Sequence, residues 1–144
     1  MVETRILDGP LPPLDDASAP GDGQDGAELL FHGRVRGTEA DRPIVALDYE
    51  AYLPLAETEL RAVAEDTAAR FPVRSLVCLP RIGRIEVGEA SMRVTIRSLH
   101  RTEGIQALAY FIEQLKDRVP IWKWGVTEQG ERFPSRGGHG PPNP

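Results

Sequence analysis

Between residues 27 and 133, apolar and polar positions alternate in ways that predict short strands and two helices. Period-two alternation predicts strands at about 27–36 and 44–52, and three more near 73–79, 82–87 and 91–98. Helical spacing predicts one helix over roughly 54–70 and a second ending near Val119. An extended segment after Pro120 and a short strand ending at Phe133 complete the order ββαβββαββ. This order predicts an α+β domain with a largely antiparallel sheet.

The second predicted helix carries an apolar stripe with a spacing of three to four residues. Its members are Ile105, Leu108, Ala109, Ile112, Leu115 and Val119. Thr102 can cap the start of this helix, and Pro120 forces its end. The polar residues 37–43, between the first two strands, predict a loop.

Segments of different composition flank the patterned region. Residues 1–26 end in a stretch rich in Pro, Gly and Asp, which predicts a flexible or extended N-terminal arm. Residues 134–144 have the same character and predict a flexible C-terminal tail. We therefore expect one α+β domain over residues 27–133.

Composition excludes several classes of protein. A length of 144 residues suits one domain with a real core, and a net charge of −5 disfavours a general nucleic-acid binder. There is no apolar run of membrane-spanning length and no basic leader followed by an apolar stretch, so no membrane association is expected. The single cysteine, Cys78, excludes an internal disulfide and lies in an apolar run typical of a buried strand. These features predict a cytoplasmic protein.

Metal chemistry has no support in the residue spacing. The three histidines, at positions 32, 100 and 139, show no metal-ligand spacing with carboxylates or with the cysteine. We expect no metal and no cofactor.

Lysine is the rare basic residue of this chain. Only Lys116 and Lys123 occur among the 17 Lys and Arg residues, and they lie seven positions apart on either side of Pro120. An ammonium suits proton transfer and carbonyl chemistry because its charge state responds to neighbouring groups, whereas guanidinium stays charged. Three helical and four extended steps place the two Cα atoms at most ~18 Å apart, within reach of one small ligand. The alternatives are a solvated cation at the helix end for Lys116 and an exposed strand residue for Lys123.

Two further groups of basic residues are candidates for anion binding. His100 and Arg101 lie where a strand meets the N-terminus of the second helix, whose free N–H groups attract anions. Arg34 and Arg36 flank Val35, with Gly33 and Gly37 on either side, so both point away from the core if Val35 faces it. An ordinary junction histidine and a solvated strand face are the alternatives.

Five segments, taken together in their order, resemble the large, catalytic subunit of molybdopterin synthase. They are Phe31-His-Gly-Arg-Val-Arg36, Leu47-Asp-Tyr-Glu-Ala-Tyr52, Arg81-Ile-Gly-Arg-Ile-Glu-Val-Gly-Glu89, Ser98-Leu-His-Arg101, and Leu115-Lys116 followed by Pro120-Ile-Trp-Lys123. The last segment, with one lysine in a helix and Pro-Ile-Trp-Lys after it, is the most specific. The resemblance extends from about residue 27 to residue 133.

The resemblance implies a fold, a reaction and partners. The fold would be an α/β hammerhead-type domain with two main helices and a small antiparallel subdomain. The protein would form the homodimer core of a heterotetramer, with a small ubiquitin-like sulfur-carrier subunit at each end. As a sulfurtransferase it would move sulfur from the carrier's C-terminal Gly-Gly thiocarboxylate to cyclic pyranopterin monophosphate. The product is the dithiolene of molybdopterin, a step of molybdenum cofactor biosynthesis.

The resemblance also implies roles for individual residues. Lys123 is the first choice for acid/base or covalent assistance, and Lys116 for positioning the thiocarboxylate or an intermediate. Both lysines would also contact the substrate, together with Arg34, Arg36, His100, Arg101 and Trp124.

The sequence departs from the family pattern in three places. It has Pro80-Arg81 where the family commonly has His-Arg, and Trp124-Gly125 after Lys123 where the family commonly has Lys-Glu. The loop from Gly37 to Pro43 also departs from the usual pattern. A non-catalytic homologue that only docks the carrier is therefore the alternative function, and an unrelated α+β anion-binding module is a third. Either Arg132 or Arg136 would be the C-terminal arginine that reaches the partner's pocket.

Overall fold

The computed structural model describes residues 1–14 and 21–135 and contains ten strands and two helices in that part of the chain. The strands are β1 (Val2–Thr4), β2 (Ala27–Arg34), β3 (Thr38–Glu39), β4 (Arg42–Pro43), β5 (Ala46–Ala51), β6 (Val73–Pro80), β7 (Gly83–Glu86), β8 (Ala90–Ser98), β9 (Ile121–Val126) and β10 (Arg132–Pro134). The helices are α1 (Leu55–Arg70) and α2 (Arg101–Arg118). Without the short β1, β3 and β4, the order is the predicted ββαβββαββ. The α+β class is confirmed.

The larger sheet has the strand order β1-β6-β8-β2 and packs against both helices. Its β2, β8 and β6 are antiparallel, whereas β1 runs parallel to β6. Apolar residues of one sheet face and of the two helices form the main core, including Leu60, Val63, Leu76, Cys78, Val94, Ile96 and Phe111. Alternation along β6 and β8 is the physical reason that one face of this sheet is apolar.

The second sheet, in the order β10-β9-β5-β7, is antiparallel throughout. It has a core of its own, formed by Val35, Ile44, Leu47, Ile85 and Phe133. This sheet is the small antiparallel subdomain that the sequence predicts. The connection from α2 into β9 joins the two parts of the fold.

The polar segment 37–43 contains a hairpin, so its prediction as a loop is wrong. Strands β3 and β4 pair in antiparallel fashion through Thr38 with Pro43 and Glu39 with Arg42. Ala40 and Asp41, between the strands, both have positive φ, at 50° and 62°. Two consecutive left-handed residues make the tight turn of a two-residue hairpin. Neither residue is glycine, so the sequence gives no clear turn signal there.

The N-terminal residues belong to the larger sheet. Strand β1 lies inside the segment predicted as an arm and pairs with Leu76, Val77 and Cys78 of β6. Beyond it, buried Arg81 donates hydrogen bonds to the carbonyl oxygens of Gly9 (2.8 Å) and Ala90 (2.9 Å). The sheet therefore begins earlier in the chain than the predicted boundary at residue 27.

Helix α2 begins two residues earlier than the prediction of Thr102 as N-cap. His100 is the N-cap, and its backbone N–H donates to Glu103 Oε1 at 2.6 Å. The fully buried positions are Gly104, Ala107 and Phe111.

Two members of the predicted α2 stripe are exposed, Ile105 at 54% and Ala109. The small Gly104 explains the difference, because a Cβ there would lie 2.7 Å from Ser98 Oγ and 2.8 Å from Leu29 Cδ1. The helix packs most closely through small residues such as Gly104, and a search for apolar side chains at helical spacing does not detect a glycine.

Cys78 is buried within β6, as its sequence context predicts. Burial raises the pKa of its thiol, so the sulfur is neutral and unreactive at ordinary pH. Neither of the two helices in the described residues is long and apolar enough to cross a membrane.

An acidic side chain joins the two helices at the surface of the main core. The hydroxyl of Tyr110 in α2 donates to Asp66 Oδ2 in α1 at 2.6 Å, and Arg70 Nε lies 3.1 Å from Asp66 Oδ1. The Tyr110 hydrogen bond, and then Arg70 and Arg118, lower the pKa of Asp66 below its usual value of 3.8. Its stabilising effect is therefore present above pH 3.8 and is lost as the pH falls through the lower, folded-state value.

We expect the free energy of unfolding to fall in acid in a way that depends on Asp66. In Asp66→Asn the loss of stability below about pH 4 should be smaller than in the wild type, because no carboxylate remains to be protonated. Urea unfolding at several pH values measures this, with Asp117→Asn, on the exposed surface of α2, as the control. An identical pH dependence in wild type and Asp66→Asn would contradict the assignment.

Candidate functional site

Lys123 lies in β9, directly opposite Tyr49 of β5. The helix before it ends because Val119 adopts an extended conformation and Pro120 follows, so the chain enters β9 at Ile121. The Lys123 side chain is 29% exposed, and its Nζ lies 3.5 Å from Glu39 Oε1. Lys123 is therefore held in an interior strand of the second sheet, with its ammonium beside a carboxylate.

Lys116 lies in the last turn of α2 and is exposed. It lines a shallow surface depression with Glu113, Gln114 and Asp117. The negative end of the helix dipole favours a cation at this position. No hydrogen bond or ion pair within the described residues occupies its ammonium.

The two lysines remain within the predicted separation. Helix α2 ends at Arg118 and β9 begins at Ile121, so the limit of ~18 Å between their Cα atoms applies to the observed elements. Within the described residues, no direct polar contact joins them. A ligand, rather than a mutual contact, would have to bridge the pair.

Arg34 and Arg36 lie at the end of β2 and just beyond it. Val35 between them is buried at 3% exposure, while both arginines are exposed, which confirms the predicted alternation. Arg34 Nη1 donates to the carbonyl oxygen of Gly88 at 2.9 Å. Arg36 has no polar partner among the described residues and is available to an anion.

A short series of contacts links this end of β2 to Lys123. The hydroxyl of Tyr49, opposite Lys123, lies 3.4 Å from Ser91 Oγ, which lies 3.3 Å from the carbonyl oxygen of Gly33. Burial raises the pKa of Tyr49, so its hydroxyl stays protonated and can donate this hydrogen bond. Lys123 and Arg34 therefore belong to the same end of the molecule.

His100 and Arg101 lie at the opposite end. They start α2 and line a shallow surface depression with Gly26, Leu99 and Thr102. Both side chains are exposed. The predicted junction of a strand with a helix N-terminus is present, since β8 ends at Ser98 and α2 begins at Arg101.

The larger sheet fixes the separation between the two groups. Ser98 pairs with Ala27 at one end of the β2–β8 ladder, and Ala90 pairs with Arg34 at the other. Seven strand steps of ~3.3 Å separate the ends by ~23 Å, and the helical rise from Arg101 to Lys116 gives a similar ~22 Å. Within one chain, the structure brings Arg34, Arg36 and Lys123 to one end of the molecule but not His100 or Arg101.

The candidate residues also differ from other basic residues in their ion pairing. Ten Lys and Arg side chains in the described residues form ion pairs with carboxylates, and nine of these are arginines. Arg34, Arg36, Arg101 and Lys116 form none. Most predicted anion-binding residues therefore keep their charge available in a chain that is acidic overall.

Comparison with known proteins assigns the family. The family model described as MoaE protein matches residues 12–118, which is most of the chain. The chain belongs to the MoaE family. The molybdopterin synthase catalytic subunit of Bos taurus is 40% identical over 104 residues, covering 72% of this chain and 55% of the relative.

Solved structures agree with this assignment. Molybdopterin synthase from Staphylococcus aureus superposes with a TM-score of 0.78 at 28% identity, covering 91% of this chain and 96% of that one. A complex of subunits 1 and 2 of molybdopterin-converting factor from Helicobacter pylori 26695 gives a TM-score of 0.70 at 21% identity, covering 92% and 90%, which shows the fold alone. This MoaE chain spans little more than half the length of the mammalian relatives that it matches.

Glu39 is a residue of this MoaE chain that sequence reasoning missed. Its side chain is 12% exposed and is the carboxylate nearest to Lys123. The sequence did not indicate Glu39, because it lies in the segment predicted as a polar loop, where a single acidic residue is not a distinctive signal. Residues 1–14 and 21–135 contain no group of three or more His, Cys, Asp and Glu side chains that could hold a metal ion.

Trp124 and Gly125, which depart from the family pattern, form a packing unit with Phe133 and Arg132 of β10. The ring of Phe133 lies directly over Gly125, so a Cβ there would come within 2.4 Å of Phe133 Cζ. The guanidinium of Arg132 stacks on the Trp124 ring at 4.6 Å and donates to Glu50 Oε1 at 2.6 Å. Arg132 thus has contacts within its own chain, while Arg136 lies outside the described residues.

Gly125→Ala should destabilise the protein by about 1–3 kcal/mol, because the added methyl overlaps the Phe133 ring. In a Phe133→Ala background the same change should cost much less, since the overlap is gone. Urea unfolding of the four proteins measures the coupling. Gly37→Ala is the control, because its Cβ would meet only ordinary van der Waals contact. Equal costs of Gly125→Ala in both backgrounds would exclude the packing unit.

Proposed function

We propose that this chain is the catalytic subunit of a molybdopterin synthase, a sulfurtransferase. The observation that carries the proposal is the placement of the chain's only two lysines on either side of the α2–β9 junction, in a chain of the MoaE family. A chain that uses arginine at its other basic positions retains amines at these two.

The proposed sulfur transfer requires groups that can orient a thiocarboxylate and donate a proton, and the two amines can do both. The donor is a thiocarboxylate at the C-terminus of a small carrier protein, and its sulfur attacks a carbon of cyclic pyranopterin monophosphate. Each transfer forms one carbon–sulfur bond at the pterin while a carbon–oxygen bond at the same carbon breaks. Water then cleaves the carrier's carbon–sulfur bond in the resulting thioester, which restores the carrier carboxylate and leaves the thiol on the pterin. Lys123 stabilises the developing oxyanion and protonates the leaving oxygen, and Lys116 orients the thiocarboxylate.

Recognition of the anionic substrate falls to the basic residues without carboxylate partners. Arg36 has no polar partner among the described residues and Arg34 bonds only a carbonyl, so both are available to a phosphate. A guanidinium can bind phosphate through two parallel hydrogen bonds, which orients the substrate as well as attracting it. Trp124 follows Lys123 in β9, so its side chain lies on the opposite face of the strand, stacked with Arg132, and its contact with the substrate stays a prediction.

A second copy of the chain would complete the pocket. His100 and Arg101 lie ~23 Å from Arg34 within one chain, too far to share a small ligand with it. In a symmetric dimer, the surface that carries His100 and Arg101 in one protomer can face the lysines of the other. The proposed assembly is therefore a homodimer with a carrier subunit bound to each protomer.

The carrier requires a pocket that opens to the surface. Lys116 is exposed and lines a surface depression, which suits a flexible chain terminus that enters and leaves. In the related H. pylori protein, subunits 1 and 2 of the converting factor form a complex. By analogy, the partner here would be a small ubiquitin-like subunit.

One observation favours a second candidate function. Trp124 and Gly125 occupy the positions after Lys123 as part of the packing unit with Phe133 and Arg132. A homologue that had lost turnover but still docked the carrier could tolerate such a change. Turnover by the wild-type protein distinguishes the two candidates.

Lys123→Ala should lower the rate of dithiolene formation by roughly 10²–10⁴-fold, since it removes the proposed acid. The assay supplies thiocarboxylated carrier and cyclic pyranopterin monophosphate and measures product. Urea unfolding should show that Lys123→Ala still folds, with a modest loss of stability because Glu39 loses its ion-pair partner. Arg84→Ala, on the exposed surface of β7, is the activity control. Unchanged turnover in Lys123→Ala would exclude the role, and carrier binding without product in the wild type would favour the docking homologue.

Mixed dimers should test the contribution of the second copy. Lys123→Ala and Arg101→Ala homodimers should each be nearly inactive. If each pocket takes Lys123 from one protomer and Arg101 from the other, random mixing restores one intact pocket in each heterodimer, or about a quarter of wild-type activity. No recovery after co-refolding, with heterodimers confirmed by mass, would mean that one chain supplies both residues.

A further inference from the structure

Glu39 is the carboxylate that forms an ion pair with Lys123 in the described residues. Its Oε1 lies 3.5 Å from Lys123 Nζ, and the exposed fractions of the two side chains are 12% and 29%. No other carboxylate within the described residues forms an ion pair with Lys123. An ammonium and a carboxylate that are both mostly removed from water attract each other more strongly than an exposed pair does.

The carboxylate is held in place by structure on two sides. The β3–β4 hairpin, with Ala40 and Asp41 in its turn, fixes the backbone of Glu39. The hydroxyl of Ser135, just after β10, donates a hydrogen bond to the same Oε1 that faces Lys123. The backbone N–H of Ser135 in turn donates to the carbonyl oxygen of Lys123 at 3.0 Å. Glu39 is therefore part of the β3–β4 hairpin and contacts both Lys123 of β9 and Ser135 after β10.

A lysine that transfers a proton needs such a partner. Its four-carbon stem has many rotamers, so an unanchored ammonium would spend little time at the reacting atom. Lys116 has no carboxylate partner in the described residues. The two amines therefore differ in their surroundings as well as in their positions.

We propose that Glu39 is a positioning residue for Lys123, which holds its amine in place and directed toward the sulfur-transfer pocket. This inference rests on the proposed function and deepens it. Glu39 acts through Lys123 and makes no contact with the substrate. As an anion near the pocket it also opposes the binding of substrate phosphate at that point, so phosphate is directed toward Arg34 and Arg36.

The rarity of lysine allows a direct test without turnover. Reductive ¹³C-dimethylation of the full chain labels only Met1, Lys116 and Lys123, and Lys116→Arg and Lys123→Arg variants assign the NMR signals. In Glu39→Gln the ¹³C relaxation of the Lys123 signal should report faster and wider motion of the side chain, because the carboxylate that anchors the ammonium is gone. The Lys116 signal should stay unchanged.

A matched control pairs with the same hairpin from outside it. Glu131 Oε2, just before β10, forms an exposed ion pair with Arg42 of β4 at 3.5 Å and does not touch Lys123. Glu131→Gln therefore removes one carboxylate and one ion pair of the hairpin, as Glu39→Gln does, and should leave the relaxation of the Lys123 signal unchanged. Glu39→Asp keeps the charge and should retain most of the restriction of the Lys123 side chain.

Kinetics then test the positioning role. In Glu39→Gln, kcat should fall by about tenfold with the KM for the pterin changed by less than about twofold, and Glu39→Asp should recover most of the lost kcat. Unchanged Lys123 relaxation and unchanged kcat in an active enzyme would overturn the inference and leave the proposed function intact. Faster Lys123 motion in Glu39→Gln, found together with a wild-type protein that makes no product, would overturn the proposed function, and the role of Glu39 in sulfur transfer with it.

Discussion

The pairing of β9 with β5 is the interaction on which the candidate site depends. Six consecutive residues of β9 pair with β5, and the ladder is closed at its ends by hydrogen bonds from Tyr52 N to Pro120 O and from Val45 N to Val126 O. The pairing attaches the C-terminus of α2 to the second sheet and sets which β9 residues face its core. Because side chains alternate along a strand, a shift of one residue would turn Lys123 away from Glu39 and place Trp122 or Trp124 there. The position of the amine is thus a consequence of register.

Local signals were sufficient for most of the fold. The strands and helices from residue 27 to residue 133 follow apolar periodicity, and Pro120 ends α2 as its chemistry requires. Three features escaped because their causes are not periodic. Strand β1 is stabilised by pairing with a distant strand, the β3–β4 turn uses Ala40 and Asp41 in a conformation usually given to glycine, and α2 packs through Gly104 rather than Ile105. Strand β1 and the packing of Gly104 depend on contacts between segments far apart in sequence, and the turn depends on a backbone conformation that its residue types do not indicate. A local apolar pattern contains neither kind of information.

The candidate site was only partly accessible from the sequence for the same reason. Residue type and spacing identified the two lysines and the basic residues near the strand and helix ends, and the resemblance connected them. The sequence did not reveal that one sheet keeps Arg34 and Arg101 at opposite ends of a single chain, because that separation is set by the β2–β8 register. Nor did it reveal Glu39, whose importance comes from a hairpin that delivers it to Lys123. The distance between Arg34 and Arg101 within one protomer therefore bears on how protomers assemble as well as on the chemistry of the site.

The surroundings of Lys123 also explain how the chain accommodates its departure from the family pattern. The resemblance leads one to expect a charged pair immediately after this lysine, whereas here Trp124 supports the Arg132 guanidinium and Gly125 makes room for Phe133. Both replacements strengthen the contact between β9 and β10 and extend the packing that holds β9. The carboxylate near the amine is instead supplied by Glu39, from a different strand. The sequence departure is therefore compatible with a lysine that remains anchored.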